Sequence, residues 1–214
     1  LKSGRIVYDP VQKTLTAANR IKNLLKVRAP ETDVILNGGI GRGDLTIGQQ
    51  GDSSVVGADD VTVTSDQYAA IDGWVYINCT GKVDIRSNED VAVNGNLNIY
   101  DSSEVTLSAG SNVVNGSANI TSKGDVTIES TDGRAAKNLT INKAENVTIT
   151  ISDDERAVSE NTDITASGTV ILKNNAPGGH VGTVDFTQAD GKKYVYYTLS
   201  LIHISEPTRQ EAIS

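Results

Sequence analysis

Residues 124–152 read GDVTIESTDGRAAKNLTINKAENVTITIS, and the triplet Val126-Thr127-Ile128 returns there as Val147-Thr148-Ile149 after 21 positions. A third triplet, Leu139-Thr140-Ile141, lies between them, beyond an Asp132-Gly133 step. In an extended chain the first and third residues of such a triplet face one side and the middle residue faces the other. So Val126 and Ile128 point inward and Thr127 outward. A triplet alone is too short to be an ordinary strand of a sheet. Laid on an equivalent triplet one period later, at roughly 4.8 Å, it becomes one rung of a long parallel ladder.

The same period runs outward from this stretch. One set of triplets begins at Val61, Val83, Val105, Val126, Val147 and Val170, with steps of 22, 22, 21, 21 and 23. A second begins at Val75, Leu97, Ala118, Leu139, Ile164 and Val184. A third, weaker set lies at Ala69–Ile71, Val91–Val93, Val113–Val114, Ala135–Ala136, Val158 and Val181. Three columns sharing one period predict an all-β fold, a single-stranded right-handed parallel β-helix (β-solenoid) of about 22 residues per coil. Three parallel sheets would enclose a column of aliphatic side chains. The handedness follows from the parallel-crossover rule. Asn94-Gly95, Asn115-Gly116, Lys123-Gly124, Asp132-Gly133 and Ser167-Gly168 fall between triplets, where glycine allows positive φ. An antiparallel sandwich would use similar turns, but does not require three columns in register.

Composition agrees. Of 214 residues, 4% are aromatic, Met is absent, and Phe and Trp occur once each. A thin solenoid core of Val, Ile, Leu and Ala needs no large rings. Regular coils are expected from about residue 61, inside a solenoid spanning 34–198. Val34–Leu36 and Leu45–Ile47 look like earlier triplets, and Gly48–Asp60 like an inserted loop. Residues 1–33 are expected to form an irregular region or capping coil, although Ile21, Leu24, Leu25 and Arg28 have helix-like spacing. Tyr194–Tyr197 reads as a last strand or the start of another domain. Residues 199–209, LSLIHISEPTR, resemble the translation of a transposase sequencing adapter, so 199–214 are expected to be an artefactual tail. The chain starts at Leu1 and shows no signal peptide, which suits a piece of a longer protein.

Charge and chemistry narrow the function. A net charge of −8 argues against nucleic acid and anionic lipid as partners. No apolar run is long enough to insert in a membrane. The single cysteine, Cys79, falls on the inward parity and should be a buried thiol. The first column presents Thr62, Asp84, Thr106, Thr127, Thr148 and Ile171 outward, followed by Thr64, Arg86, Ser108, Glu129, Thr150 and Lys173. The second presents Tyr76, Asn98, Asn119, Thr140, Thr165 and Asp185. No paired carboxylates on neighbouring coils of one column are expected, and Asp84 beside Arg86 reads as a surface pair. His180 sits in a Pro-Gly-Gly-His turn with no evident partner. The run Gly38-Gly39-Ile40-Gly41-Arg42-Gly43-Asp44 half-matches a calcium-binding nonapeptide and contains Arg-Gly-Asp, but a flexible glycine loop accounts for it. Sequons at Asn78, Asn115, Asn119, Asn138 and Asn146 follow from Asn-rich corners beside Thr-rich strands. No cofactor and no metal ligands are expected.

Read together, these repeats resemble those of secreted gut Firmicutes β-helix proteins, including carbohydrate-binding-domain-containing surface proteins, over residues 30–190. The resemblance implies export, an extracellular or cell-wall setting, and a cell-wall, host or dietary polysaccharide as partner. It carries no catalytic residue over. The expected role is a non-enzymatic scaffold or adhesin-like module; a glycan-binding module, or a polysaccharide lyase or hydrolase, is the alternative. Tyr76 and Tyr100, both on outward parity, are the candidate ligand-binding residues, as a stacking patch. A solenoid with open edges would also associate end to end.

Overall fold

The computed structural model of the chain describes residues 5–152, 157–158, 160–176, 185–186 and 194–198. It is an all-β solenoid whose parallel strands recur roughly 22 residues apart. The first sheet has ten strands: Ile6–Asp9, Thr14–Ala17, Asp33–Asn37, Val61–Ser65, Lys82–Ser87, Glu104–Ala109, Val126–Ser130, Val147–Ile151, Val170–Asn174 and Tyr194–Thr198. The second has eight: Leu25–Val27, Leu45–Ile47, Val75–Asn78, Leu97–Ser102, Ser117–Ser122, Asn138–Ala144, Thr162–Ala166 and Asp185–Phe186. Successive strands within a sheet run parallel, except that Ile6–Asp9 pairs antiparallel with Thr14–Ala17. That hairpin covers the edge of the first sheet, one of the ways a strand edge is kept from pairing with another chain.

The predicted register is present. Val61 stands on Val83, Val83 on Val105, Val105 on Val126, Val126 on Val147, and Val147 on Val170. Their side chains are buried, as are Val63, Ile85, Leu107, Ile128 and Ile149 two residues on. The alternation holds along the first-sheet strands from Val61–Ser65 to Val170–Asn174 because one face meets the aliphatic column and the other meets water, whereas Val75–Asn78 of the second sheet is buried on both faces. Where a strand leaves the core, small polar residues close the corner. Buried Ser87 donates through Oγ to the Tyr68 carbonyl at 2.9 Å, and Ser130 to that of Ser111 at 2.6 Å.

Several expectations need correcting. The third column is not a sheet of triplets. It is a line of single bridges, Ile21–Ile40–Ile71–Val93–Val114, with Ala136–Val158 further on. Each coil pairs there over a short corner, where small neighbours such as Ala70, Ala92, Val113 and Ala135 are buried beside the bridge residue, so no alternating triplet is needed and the pattern is weaker. The solenoid also begins earlier than expected. Leu15 pairs with Val34, Ile21 with Ile40 and Leu25 with Leu45, so residues 14–33 form a regular coil. The helix-like spacing of Ile21, Leu24 and Leu25 arises where a bridge and a strand follow closely; Leu24 points to solvent. In the second column Thr162, not Ile164, stands on Leu139, and Ile164 stands on Ile141. The backbone register therefore aligns Thr140, Asp163 and Asp185, which sets two Asp positions on neighbouring coils where none were expected. Tyr194–Thr198 continues the first sheet. His180, Val181, Val184 and residues 199–214 lie outside the described residues.

Glycine also has a different role at most corners. Positive φ occurs at Gly38, Gly39, Gly48, Gly51 and Gly133, but not at Gly95, Gly116, Gly124 or Gly168. At Gly95 a Cβ would overlap the carbonyl of Gly73 on the coil below, and at Gly124 that of Ser103. Close approach of stacked backbones, not turn conformation, demands the missing side chain there.

Two substitutions test the stacking. Leu107→Ala should cost about 2–5 kcal/mol of unfolding free energy, because a column packed from both neighbouring coils collapses poorly. Gly95→Ala should destabilise as well, by forcing two coils apart. Urea midpoints measure both; unchanged midpoints would contradict the packing described.

Candidate functional site

Tyr76 and Tyr100 come from neighbouring strands of the second sheet. The register pairs Tyr76 with Asn98 and Asn78 with Tyr100, so the two rings meet diagonally. Their centroids are 5.1 Å apart with planes tilted by 36°, within the usual range for an attractive aromatic pair. The two rings differ in access. Tyr76 is only 7% exposed, and burial raises its hydroxyl pKa. Tyr100 remains half-buried. Tyr76 therefore supports Tyr100 from below and cannot itself offer a free face to a ligand. The chain's Trp74 is 60% exposed, two residues before Tyr76.

An inserted loop between Gly48 and Gly57 lies beside this pair, and the sequence reading did not assign it a role. Asn78 holds it. Its Nδ2 donates to the carbonyls of Ser53 at 2.7 Å and Val55 at 3.1 Å, and the residue is 0% exposed. The Asn78 sequon is thus buried in the folded chain. Of the others, Asn115, Asn119, Asn138 and Asn146 donate through Nδ2 to side chains of the preceding coil: Asn94, Asn98, Ser117 and Asp125.

Beyond Tyr100 the second sheet bulges. Asp101 and Lys143 adopt positive φ, 59° and 62°. Register shifts follow Ile120 and Ile141. A bulge re-aims side chains and often lies beside a binding site. Here it opens a groove of about 540 Å³ lined by Ser53, Tyr100, Asp101, Thr121, Asn142, Lys143 and Thr165. Asp101 pairs with Lys123 at 3.0 Å. The groove offers one aromatic edge, hydroxyls, an amide and two opposite charges, which suits hydrogen bonding to a polar ligand. No sequence signal marked it, because a bulge at Asp101 or Lys143 looks like one extra residue in an otherwise ordinary coil.

Comparison with protein-family models, with curated proteins and with solved structures finds no match.

The remaining sequence candidates are resolved by geometry. Arg86 Nε contacts Asp84 Oδ1 at 2.6 Å, a largely exposed pair of the kind that adds little stability. The glycine run is a tight corner, not a flexible loop: Gly38 N–H donates to Thr64 and Ile40 N–H to Ala70, each at 2.8 Å. Asp44 of the Arg-Gly-Asp tripeptide accepts from the Trp74 N–H at 2.8 Å. Among the described residues no group of three or more His, Cys, Asp or Glu side chains could hold a metal ion. Cys79 is fully buried, and burial pushes its thiol up to about 12.

Two outcomes follow. Asn78→Ala should lower stability by about 1–3 kcal/mol and speed amide exchange across residues 52–56; unchanged exchange would separate that side chain from the loop. The Cys79 thiol ionises in the unfolded chain near 9.0 and in the folded chain only near 12. Its contribution to stability is therefore complete below pH 9.0 and falls away as pH rises towards 12. A maleimide at pH 8 should label Cys79 only after denaturant is added; rapid labelling of the native protein would contradict its burial.

Proposed function

We propose that this chain is a non-enzymatic scaffold or adhesin-like module of a bacterial protein displayed outside the cell or in its wall. The observation that carries the reading is how many polar side chains are spent between coils. Asn94 donates to Asp72 and Asn115 to Asn94, at 2.9 and 2.8 Å. Asp60 accepts from the Lys82 N–H at 2.6 Å, Asp125 from that of Asn146 at 3.1 Å, and Asn146 from that of Thr169 at 2.9 Å. Surface charges pair along the same axis: Lys82 with Glu104, and Lys137 with Glu160. Groups tied into a repeating lattice serve rigidity and length more readily than proton transfer. The resemblance of the repeats to those of secreted Firmicutes proteins favours an extracellular setting by analogy of sequence alone.

The second reading is a glycan-binding module, favoured by the bulged groove with Tyr100 on its rim. A panel of plant and bacterial polysaccharides discriminates the readings. The scaffold reading predicts no product release from any of them. Release of oligosaccharides by the purified chain would replace it with an enzyme. Retention on a neutral polysaccharide that falls several-fold in Tyr100→Ala would favour the groove; equal retention would remove it.

A further inference from the structure

The net charge hides a division along the solenoid. Residues 1–42 contain eight Lys and Arg against three Asp and Glu, a balance of +5. Residues 43–198 contain ten against twenty-two, a balance of −12. The basic residues are not evenly spread over the first coils. Arg20, Lys22 and Arg42 line one open cleft of about 680 Å³ together with Asn23, Gly41, Tyr68 and Asp72. Lys26 and Arg28 line a separate cleft of about 460 Å³, farther along the same coil. No described carboxylate lies within ion-pair distance of Lys22 or Arg42, whereas five other cations among the described residues have such partners.

The cleft is built, not merely basic. Arg20 Nη1 donates to the carbonyls of Gly38 at 3.1 Å and Ala69 at 2.8 Å. Its guanidinium lies 5.4 Å from the centre of the Tyr68 ring. Neutral carbonyls hold this cation in place without cancelling its charge, and partial burial makes that charge costlier. Asp72 lines the cleft and, with Asp90, acts on the Arg20 charge; one Asp72 oxygen already accepts from Asn94. Tyr68 is 59% exposed, so its ring presents a face at the mouth. Arg42 holds a left-handed backbone, φ 58°, which costs free energy for a branched or long side chain and is more often met at functional positions.

We infer that the Arg20–Lys22–Arg42–Tyr68 cleft binds a carboxylate-bearing saccharide, a uronate of an acidic polysaccharide. Each such unit has one carboxylate and one apolar ring face. Lys22 and Arg42 take the carboxylate, and Tyr68 packs against the ring. Arg20 positions Tyr68 and adds long-range attraction. Inorganic phosphate fits less well, because it has no apolar ring face for the exposed Tyr68 to pack against. This inference stands apart from the Tyr100 groove and adds a ligand to the scaffold reading.

The test is titration of the full chain with oligogalacturonate, with a neutral gluco-oligosaccharide and with inorganic phosphate as separate arms. The expected result is binding of oligogalacturonate that weakens with added salt, with no binding of the neutral sugar and no displacement by equimolar phosphate. Lys22→Gln with Arg42→Gly should weaken it about tenfold or more, the loss of roughly one charge-assisted contact or more. Glycine at 42 suits the left-handed backbone, so the variant should melt like the parent. Tyr68→Ala should weaken binding several-fold, while Tyr100→Ala leaves it unchanged. Three results would each overturn the inference: no binding by the parent chain, full affinity in the folded double variant, or equal competition by phosphate.

Discussion

Everything in this molecule depends on one backbone contact repeated: each coil donates and accepts main-chain hydrogen bonds with the coils above and below it, in register. That constraint places like on like. Val61, Val83, Val105, Val126, Val147 and Val170 form a single file of buried side chains because their backbones are tied at one ladder spacing. The hydrophobic gain per coil is small, since each contributes only a few aliphatic residues. Stability accumulates through neighbours, as in other one-dimensional repeat folds. The same geometry forces the corners. Gly95 must lack a side chain because Gly73 sits directly beneath it, and Asn115 reaches Asn94 because the two corners are stacked.

Function enters where the lattice departs from strict repetition. The loop after Gly48 is an insertion that the stack tolerates because Asn78 binds its backbone, and its Gln50 and Asp52 lie near Tyr76. The bulges at Asp101 and Lys143 lift two residues out of the ladder and leave a groove between ordinary coils. The first coils carry an excess of cations over carboxylates that is reversed in the later coils. These three departures all lie on the outer surface, where side chains are free of the core's period.

The fold was legible because its rule is periodic and its residues are restrictive. β-Branched triplets at a shared step admit few alternatives, and the first column was read with the observed register. The second column slipped by two residues at Thr162, since a buried threonine does not announce itself as core. The first coil was missed for a similar reason: with Lys and Arg at Arg20, Lys22, Lys26 and Arg28, its inward pattern rests on Leu15, Ala17, Ile21, Leu25 and Val27, spread thinly among charges. The Tyr76–Tyr100 contact was foreshadowed by outward parity, but parity cannot say that one of the two rings is buried. The basic cleft was countable in the sequence. A single net charge of −8 obscured it, and dividing the count by region would have revealed it.

The most direct measurement is a pair of spin-label distances in a Cys79→Ala background, with labels at outward positions of the first sheet. Thr16 and Thr148 lie six ladder steps apart, and Thr62 and Thr148 four. Parallel stacking predicts backbone separations of about 29 and 19 Å, in proportion to coils crossed. Distances that do not scale with coil number, or a Thr16–Thr148 separation no longer than that of Thr62–Thr148, would contradict the stacked-coil architecture and all that is built on it.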